Sequence, residues 1–311
     1  MKTLYWISLI TIGGFIIFLS SYKVYTSLDP DLTCAQCHEI NTACKLWRNS
    51  SHANINCIEC HGGAFSDGLH GFTEKAEMVY SHFTKEQTFE DISLKEKQVL
   101  YITSRCATCH QAEHVAWESG AHSTTYKDIF MDKEHNKTEM PYWDCFRCHG
   151  MHYDGNIYDL MSLEGSFENW SIKDKNQAER PAITCLSCHQ IHAEQVQSIP
   201  YKLKSKDERD SLMKKTKNVA TALYIRSDKR HIQAIDLYQT TILDHDSLVK
   251  VSNDPNTWLC MQCHAPNNRR EAGSSDDKTP IGIYEGMSCL ECHNPHSNQL
   301  KQNYPNVHKK H

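Results

Sequence analysis

The chain has 311 residues, of which 15 are cysteine and 20 are histidine, and its formal charge at pH 7 is −5. An acidic chain lacks the basic footprint of nucleic-acid-binding proteins, so we expect no nucleic-acid partner. The mean hydropathy is negative, which argues against a large core built from apolar side chains alone.

The chain opens with an apolar segment. Residues 4–21 contain no charged side chain, and Tyr22, Val24 and Tyr25 extend the segment with interfacial residue types. Its length is close to what a helix needs to cross a bilayer. A cleaved signal peptide is the alternative, but signal peptides have shorter apolar cores and a small-residue cleavage site, which does not follow here. We therefore predict an uncleaved transmembrane anchor over residues 1–28.

One cysteine spacing recurs through the rest of the chain. Cys-x-x-Cys followed directly by His occurs seven times and leaves only Cys44 outside the pattern. The motifs are Cys34/Cys37/His38, Cys57/Cys60/His61, Cys106/Cys109/His110, Cys145/Cys148/His149, Cys185/Cys188/His189, Cys260/Cys263/His264 and Cys289/Cys292/His293.

This spacing suits covalent haem attachment. Two thiols three positions apart can bond to the two vinyl groups of one haem, and the histidine that follows becomes the proximal iron ligand. Zinc ribbons do not need a histidine after every cysteine pair, and a disulfide framework would not repeat one spacing seven times. We predict seven covalent haem c groups in a single body, residues 29–311. The predicted fold class is mostly α-helical and irregular, with the body packed around haem.

Two further segments show helical periodicity. Residues 74–101 are mostly of helical type. Between the fifth and sixth motifs, Leu212, Val219 and Leu223 suit one helix face, and His231, Ile235, Tyr238, Ile242, His245 and Val249 form the stripe of a second helix. We predict that His231 and His245 ligate iron from this stripe, on two different haems, because they lie about 21 Å apart along a helix. A hydrogen-bonded histidine at the stripe's edge is the alternative for each.

Residues 34–61 carry a more specific pattern. A first Cys-x-x-Cys-His is followed by an aromatic residue, Ser-x-His and a second Cys-x-x-Cys-His, with Trp47, Ser50 and His52 at the matching positions. With the apolar segment, residues 1–65 resemble the membrane-anchored quinol dehydrogenases of the NapC/NirT/NrfH group. The resemblance implies electron uptake from quinol, with His52 ligating a haem other than the first. Ile40 stands where that group often has a methionine ligand, so Cys44, Lys45 or an open position is expected at the first haem.

Three motifs continue as Cys-x-x-Cys-His-x-x-His, which places His152, His192 and His296 three residues after a proximal ligand. This form resembles the decahaem periplasmic conduits and the octahaem reductases. Such a histidine cannot reach the opposite face of its own haem but can reach the iron of a neighbouring one. Residues 106–122 repeat the first pattern loosely, since Trp117 and His122 keep the separation of Trp47 and His52. His122 is therefore a further distal ligand candidate. Weaker candidates are His70, His82, His114, His135, His308 and His311.

These features predict an electron-transfer protein held in the cytoplasmic membrane by one span, with its haem domain in the periplasm. The expected partners are quinol, the membrane and a periplasmic or outer-membrane redox protein. The alternative is a reductase of a small nitrogen or sulfur oxyanion at one open haem. No side-chain constellation for other catalysis is apparent in the sequence.

Overall fold

The computed structural model describes residues 2–65, 68–85, 92–192, 221–239, 241–244, 247–264 and 285–297. Within these ranges the chain is mostly helical and irregular, with three two-stranded antiparallel hairpins, and the predicted fold class is confirmed. The chain divides into two compact units. One comprises Met1–Ile92 with Ile191–Glu194, and the other comprises Ser93–Gln190 with Gln195–His311.

The helices of the first unit are α1 (Lys2–Ser27), α2 (Asn41–Arg48), α3 (Cys57–His61) and α4 (Gly68–Thr84). Short 3₁₀ turns occupy Pro30–Leu32, Cys34–Gln36 and His38–Ile40.

Helix α1 has the properties of a membrane span. Residues Thr3–Ser27 are long and apolar enough to cross a bilayer, and this apolar surface is not buried inside the protein. Its few hydroxyls are satisfied within the helix, since Ser8 Oγ donates to the Leu4 carbonyl at 3.0 Å and Thr11 Oγ1 to the Ile7 carbonyl at 2.9 Å. This exposure is what a bilayer-embedded helix needs and what a core helix would not show.

The helices of the second unit are α5 (Glu96–Cys106), α6 (Gln111–Glu118), α7 (Tyr126–Phe130), α8 (Lys133–Asn136), α9 (Ile157–Leu160), α10 (Lys175–Ala178), α11 (Cys185–Cys188), α12 (Pro255–Cys260) and α13 (Cys289–Cys292). Its hairpins are β1 (Met161–Ser162) with β2 (Ser171–Ile172), β3 (Ala222–Ile225) with β4 (Arg230–Gln233), and β5 (Ile242–Asp244) with β6 (Ser247–Val249). Further 3₁₀ turns lie at Ala121–Ser123, Trp143–Arg147, Phe167–Asn169 and Ala234–Asp236.

The predicted helices between the fifth and sixth motifs are wrong where the structure describes the chain. Residues 222–249 form two hairpins instead, and His231 pairs with Tyr224 across the first. The β3–β4 turn places Lys229 at a φ of 50°, and all three residues Ala222 to Tyr224 are buried. Burial of consecutive strand residues removes the alternation that marks a strand, so the spacing of the remaining apolar residues mimicked a helix. Leu212, Val219 and His245 lie outside the described residues.

The prediction for residues 74–101 holds in outline, since α4 and α5 cover most of the described part of this stretch. The second unit has two main apolar clusters. One packs Tyr126, Phe130, Phe146 and Leu160 together, and the other surrounds Trp258 with residues of the β3–β4 hairpin. The cysteine motifs are attached to the edges of these clusters, since Cys145 packs on the first and Cys263 on the second.

Candidate functional site

Each motif in the second unit folds as one tight helical turn. The histidine N–H donates to the carbonyl of the motif's first cysteine, at 2.8 Å in His110 and His149, 3.0 Å in His189 and 2.9 Å in His264 and His293. Side chains three positions apart share one face of such a turn. The turn therefore presents both thiols on one side, which is the geometry that attachment to one haem edge needs.

Side-chain caps begin several of these turns. Asn56 accepts from the N–H of Ile58 ahead of α3, Asp254 from Asn256 ahead of α12, and Ser288 from Leu290 ahead of α13. A helix of four to six residues has few internal hydrogen bonds, so capping of its free N–H groups contributes much of its stability.

Thiols of different motifs also meet. Hydrogen bonds join the thiols of four pairs: Cys34 with Cys57, Cys106 with Cys185, Cys148 with Cys263, and Cys260 with Cys289. The hydrogen bond from Cys57 lowers the pKa of Cys34 to about 6, and that from Cys260 lowers the pKa of Cys289 to about 7. In the second unit the sixth motif takes part in two of these pairs, so the attachment edges of the fourth, sixth and seventh motifs converge.

Cys60 and Cys109 differ from the expectation of attachment cysteines inside a body packed around haem. The Cys109 side chain is exposed and Cys60 is only partly buried, and the Cys109 thiol lies 3.8 Å from the Thr108 hydroxyl of its own turn. Each follows a first cysteine, Cys57 or Cys106, whose thiol meets another motif. Side chains three positions apart point about 60° from each other around a helical turn, so the second thiol is turned toward the surface when the first points inward. Both residues stay proposed attachment cysteines, at the solvent-facing side of the second and third motifs.

The imidazole rings can be tested for haem ligation by their spacing. A metal–imidazole bond is about 2 Å, and each ring centre lies a further ~1 Å behind its ligating nitrogen, so two ligands on opposite sides of one iron have centres about 6 Å apart. Three proximal histidines face a second histidine at this separation. The pairs are His61–His192, His189–His296 and His264–His122, all at 6.0 Å.

Hydrogen bonds orient two of the second histidines for ligation through Nε2. Nδ1 of His122 donates to the Pro295 carbonyl, and Nδ1 of His192 donates to the Ala43 carbonyl, both at 2.8 Å. Metal-ligating histidines commonly donate the other ring N–H in this way, which fixes the tautomer and the ring orientation. Gly120 permits the approach that His122 needs, because a Cβ there would lie 3.2 Å from the His296 carbonyl oxygen.

Burial keeps several of these rings neutral. It lowers the pKa of His61, His149 and His152 to about 4, with neighbouring histidines lowering it further. The pKa of His192 is also lowered by burial. Only the neutral imidazole has a lone pair for a metal, so these sites favour the form that ligates iron. The spacing, tautomers and protonation therefore fit haem.

His152 and His231 lie close to each other, not opposite a proximal histidine. Their ring centres are 6.4 Å apart, and His152 stacks on Tyr224 at 4.0 Å. Both ring nitrogens of His152 are buried without a hydrogen-bond partner. Nε2 of His231 bonds to the Leu186 carbonyl at 2.6 Å. An unpartnered buried imidazole is costly, and an absent metal ligand at His152 would explain it.

His52 is half-buried in a turn fixed by the two residues that carried the resemblance. The Trp47 indole N–H donates to the His52 carbonyl at 2.8 Å, and the His52 N–H donates to Ser50 Oγ at 3.1 Å. Nδ1 of His52 meets Ser51 Oγ at 3.1 Å, which leaves its Nε2 on the other side of the ring.

The first motif has a different arrangement. His82 of α4 lies beside His38 with ring centres 5.2 Å apart, closer than the other pairs. The buried Glu39 carboxylate accepts from Nδ1 of His82 at 2.8 and 2.9 Å and lies 3.4 Å from Nε2 of His38. Burial by itself raises the pKa of Glu39, but hydrogen bonds from its own backbone N–H and His82, with the charge of His38, leave it below its usual value.

Cys44, which the sequence offered for this position, is buried on α2. Its charge helps to raise the pKa of Cys57, which places it near the second motif. The sequence ranked His82 below the other candidates because it belongs to no motif. The available signal was its place on an otherwise apolar helix shortly after the second motif.

Two similarities to known proteins agree with this geometry. The family described as cytochrome c554 and c-prime matches residues 226–294. The cytochrome c-type protein NrfH of Wolinella succinogenes is 28% identical over 107 residues, which is 32% of this chain and 59% of that protein. The chain thus spans less than two thirds of the length of this relative. No solved structure matches the chain. The similarities support a membrane-associated multihaem c-type cytochrome that functions in electron transfer.

Proposed function

We propose that this chain is a heptahaem cytochrome c that is anchored by α1, accepts electrons from quinol and passes them to a periplasmic or outer-membrane redox protein. Haem iron supplies one-electron chemistry when bound. The chain contributes seven attachment turns, proximal histidines and a set of distal histidines. The three imidazole pairs at 6.0 Å are the observation that carries the proposal.

The paired histidines favour electron transfer over substrate reduction. An iron held between two imidazoles has no position left for a substrate, and it stays six-coordinate in both oxidation states. We assign His192, His296 and His122 as distal partners of His61, His189 and His264. His52, His152, His231 and His245 stay proposed ligands for the other haems, and His82 joins them at the first motif.

The ligands also link motifs that are distant in the sequence. His296 follows the seventh motif but faces the proximal histidine of the fifth, and His122 follows the third motif but faces that of the sixth. A histidine that ligates the haem of another motif brings two haems near each other. Together with the converging thiols of the fourth, sixth and seventh motifs, this supports a closely packed haem chain in the second unit.

Electron entry is proposed at the first motif. The 3₁₀ turn that holds Cys34 begins seven residues after α1 ends at Ser27, so this motif stays near the membrane surface when α1 spans the bilayer. A quinol head group at the interface is then within reach. The ionised Glu39 beside His38 and His82 is also a base near the point where quinol releases its protons.

The test compares the full-length protein in liposomes with a variant that lacks residues 1–28, each given a water-insoluble menaquinol in the bilayer. The full-length protein should be reduced at least about tenfold faster, because the anchor holds the first motif at the quinol's depth. Dithionite should reduce both to the same extent, which serves as the control for haem content. Equal rates with menaquinol would overturn quinol oxidation at the anchor. Turnover of nitrite or hydroxylamine by the purified protein would instead favour the reductase.

A further inference from the structure

Helix α4 has an apolar face without a protein partner among the described residues. Phe72, Ala76, Val79, Tyr80 and Phe83 recur at helical spacing and form a stripe that spans three turns. The four larger side chains are exposed by 51% at Phe72, 57% at Val79, 68% at Tyr80 and 79% at Phe83. With Ala64 and Lys75 they line an open groove of about 550 Å³. An apolar patch of this size on a water-facing helix marks an interaction site.

The start of this helix is tied to the end of the apolar helix α1. Phe65 packs edge-on against Tyr22 and Phe18 of α1, with ring centres 4.9 and 6.2 Å apart. The Tyr22 hydroxyl accepts from the Ala64 N–H at 2.6 Å. Phe65 in turn stacks on Phe72 of α4 at 6.3 Å. The aromatic contacts are thus continuous from the last turns of α1 to the stripe.

Close backbone packing fixes this junction. Gly71 is buried, and a Cβ there would lie 3.0 Å from the carbonyl oxygens of both Gly63 and Ala64. The opposite side of α4 is occupied by protein, since His82 bonds to Glu39 there. The stripe is consequently held outward, at the depth where α1 leaves the bilayer.

We propose that α4 is an interfacial helix that lays its stripe on the lipid bilayer beside α1. The inference rests on the membrane attachment in the proposed function. Tyr22, Tyr25, Phe65, Phe72 and Tyr80 are aromatic residues of the kind that concentrate at the membrane–water interface. Lys75, at the edge of the groove, can extend its ammonium toward phosphate groups while its methylene chain packs on apolar neighbours. The occupant is the acyl and head-group region of the outer leaflet, and the second attachment fixes the orientation of the first motif above the membrane.

The test uses the full-length holoprotein in liposomes of phosphatidylethanolamine and phosphatidylglycerol that contain menaquinone. The photoreactive residue p-benzoyl-L-phenylalanine replaces Phe83 on the stripe, Glu77 on the water-facing side of the same helix, or Phe15 within α1. After irradiation, intact mass spectrometry counts adducts. The variant at Phe83 should form phospholipid adducts at least about fivefold more often than the variant at Glu77, and the variant at Phe15 should form them as the positive control.

Each outcome separates the alternatives. Lipid adducts at Phe15 with none above the Glu77 level at Phe83 would overturn the interfacial helix and leave the anchor intact. A menaquinone adduct at Phe83 in place of phospholipid would overturn it in favour of a quinone groove, and adducts with a second copy of the chain would overturn it in favour of self-association. No lipid adduct even at Phe15 would refute the membrane attachment on which the proposal rests.

Discussion

The imidazole rings of His61 and His192 lie 6.0 Å apart and 39° from parallel. His61 completes the second cysteine motif, whereas His192 comes from a distant segment that joins the first unit. Nδ1 of His192 is held by the Ala43 carbonyl at 2.8 Å, so its Nε2 is the nitrogen available to a metal. The chain therefore forms a two-imidazole site from residues that neither sequence proximity nor a shared motif would have paired.

Replacement of His192 by alanine should convert one low-spin haem to high-spin, because the iron would lose its sixth ligand. His122→Ala and His296→Ala should each have the same effect on a different haem. Electron paramagnetic resonance of the oxidised protein measures the change. His114 lies beside Glu118 at 3.6 Å, and His114→Ala is the matched control that should leave the spectrum unchanged. An unaltered low-spin count in His192→Ala would contradict the pairing.

His152 and His231 should differ in the same measurement. His152 has two buried ring nitrogens without partners, whereas Nε2 of His231 is bound to the Leu186 carbonyl. We expect His152→Ala to produce a high-spin haem and His231→Ala to have the smaller effect. Because Tyr224 stacks on His152 at 4.0 Å, Tyr224→Phe keeps the packing and should leave the spectrum as it is. A larger effect at His231 would reverse the assignment.

The attachment turns were the most predictable part of the molecule. Cys-x-x-Cys-His states a local geometry, and its helical turn depends on residues within the motif and one cap before it. How deeply each thiol is buried was not predictable, since the exposure of Cys109 depends on which side of its turn packs against other segments. The distal histidines could only be ranked, because whether His122 meets His264 also depends on how separate segments pack. The histidine three residues after a motif was a useful signal for His192 and His296, because its short tether forces it toward another haem.

The hairpins and the first site were not predictable in this way. The apolar residues of 222–249 matched a helical period, but in the structure they are buried on both faces of short strands, where neither period applies. His82 became a candidate only when α4 placed it beside Glu39, a contact between segments that the sequence does not relate. Tertiary packing outweighs local pattern at both places.

A buried ion pair should govern the stability of the second unit. The Glu96 carboxylate accepts from the Tyr126 hydroxyl at 2.6 Å and from Arg180 Nη1 at 2.5 Å, and only 6% of its side chain is exposed. Glu96→Ala would strand the guanidinium and the hydroxyl, so we expect a loss of about 2–4 kcal/mol in the free energy of unfolding. Glu164→Gln, at an exposed site, should change it by less than about 0.5 kcal/mol. Chemical denaturation followed by far-UV circular dichroism measures both.

The same carboxyl should give a pH dependence of definite sign. Burial raises the pKa of Glu96, although Tyr126 and Arg180 oppose the rise. The folded state then binds this proton more tightly than the unfolded chain, whose glutamate pKa is about 4.3. The contribution of Glu96 to stability is therefore greatest below that pH and falls as pH rises through the folded pKa. The stability difference between wild type and Glu96→Gln, which cannot titrate, should shift against the wild type as pH is raised from about 4. A shift in the opposite direction would show that the ion pair outweighs burial.

The first haem should be distinguished by the carboxylate of Glu39. The pKa of this group is below its usual value, so it is charged at neutral pH, and it lies 3.4 Å from Nε2 of His38 and 2.8 Å from Nδ1 of His82. A negative charge near the iron stabilises the oxidised haem. Glu39→Gln keeps the shape and removes the charge, so the potential of one haem should rise by on the order of 50–100 mV. Spectroelectrochemical titration of the variant against Glu59→Gln, an exposed carboxylate in the second motif, separates a local effect from one of net charge. His82→Ala should raise the high-spin fraction of the same haem, since it removes the imidazole that faces His38. If Glu39→Gln leaves all potentials in place while His82→Ala alters the spin state, His82 acts as a ligand without help from the carboxylate. If neither variant changes the first haem, its sixth position is filled from outside the His38, Glu39 and His82 cluster, and electron entry at this site loses its structural basis.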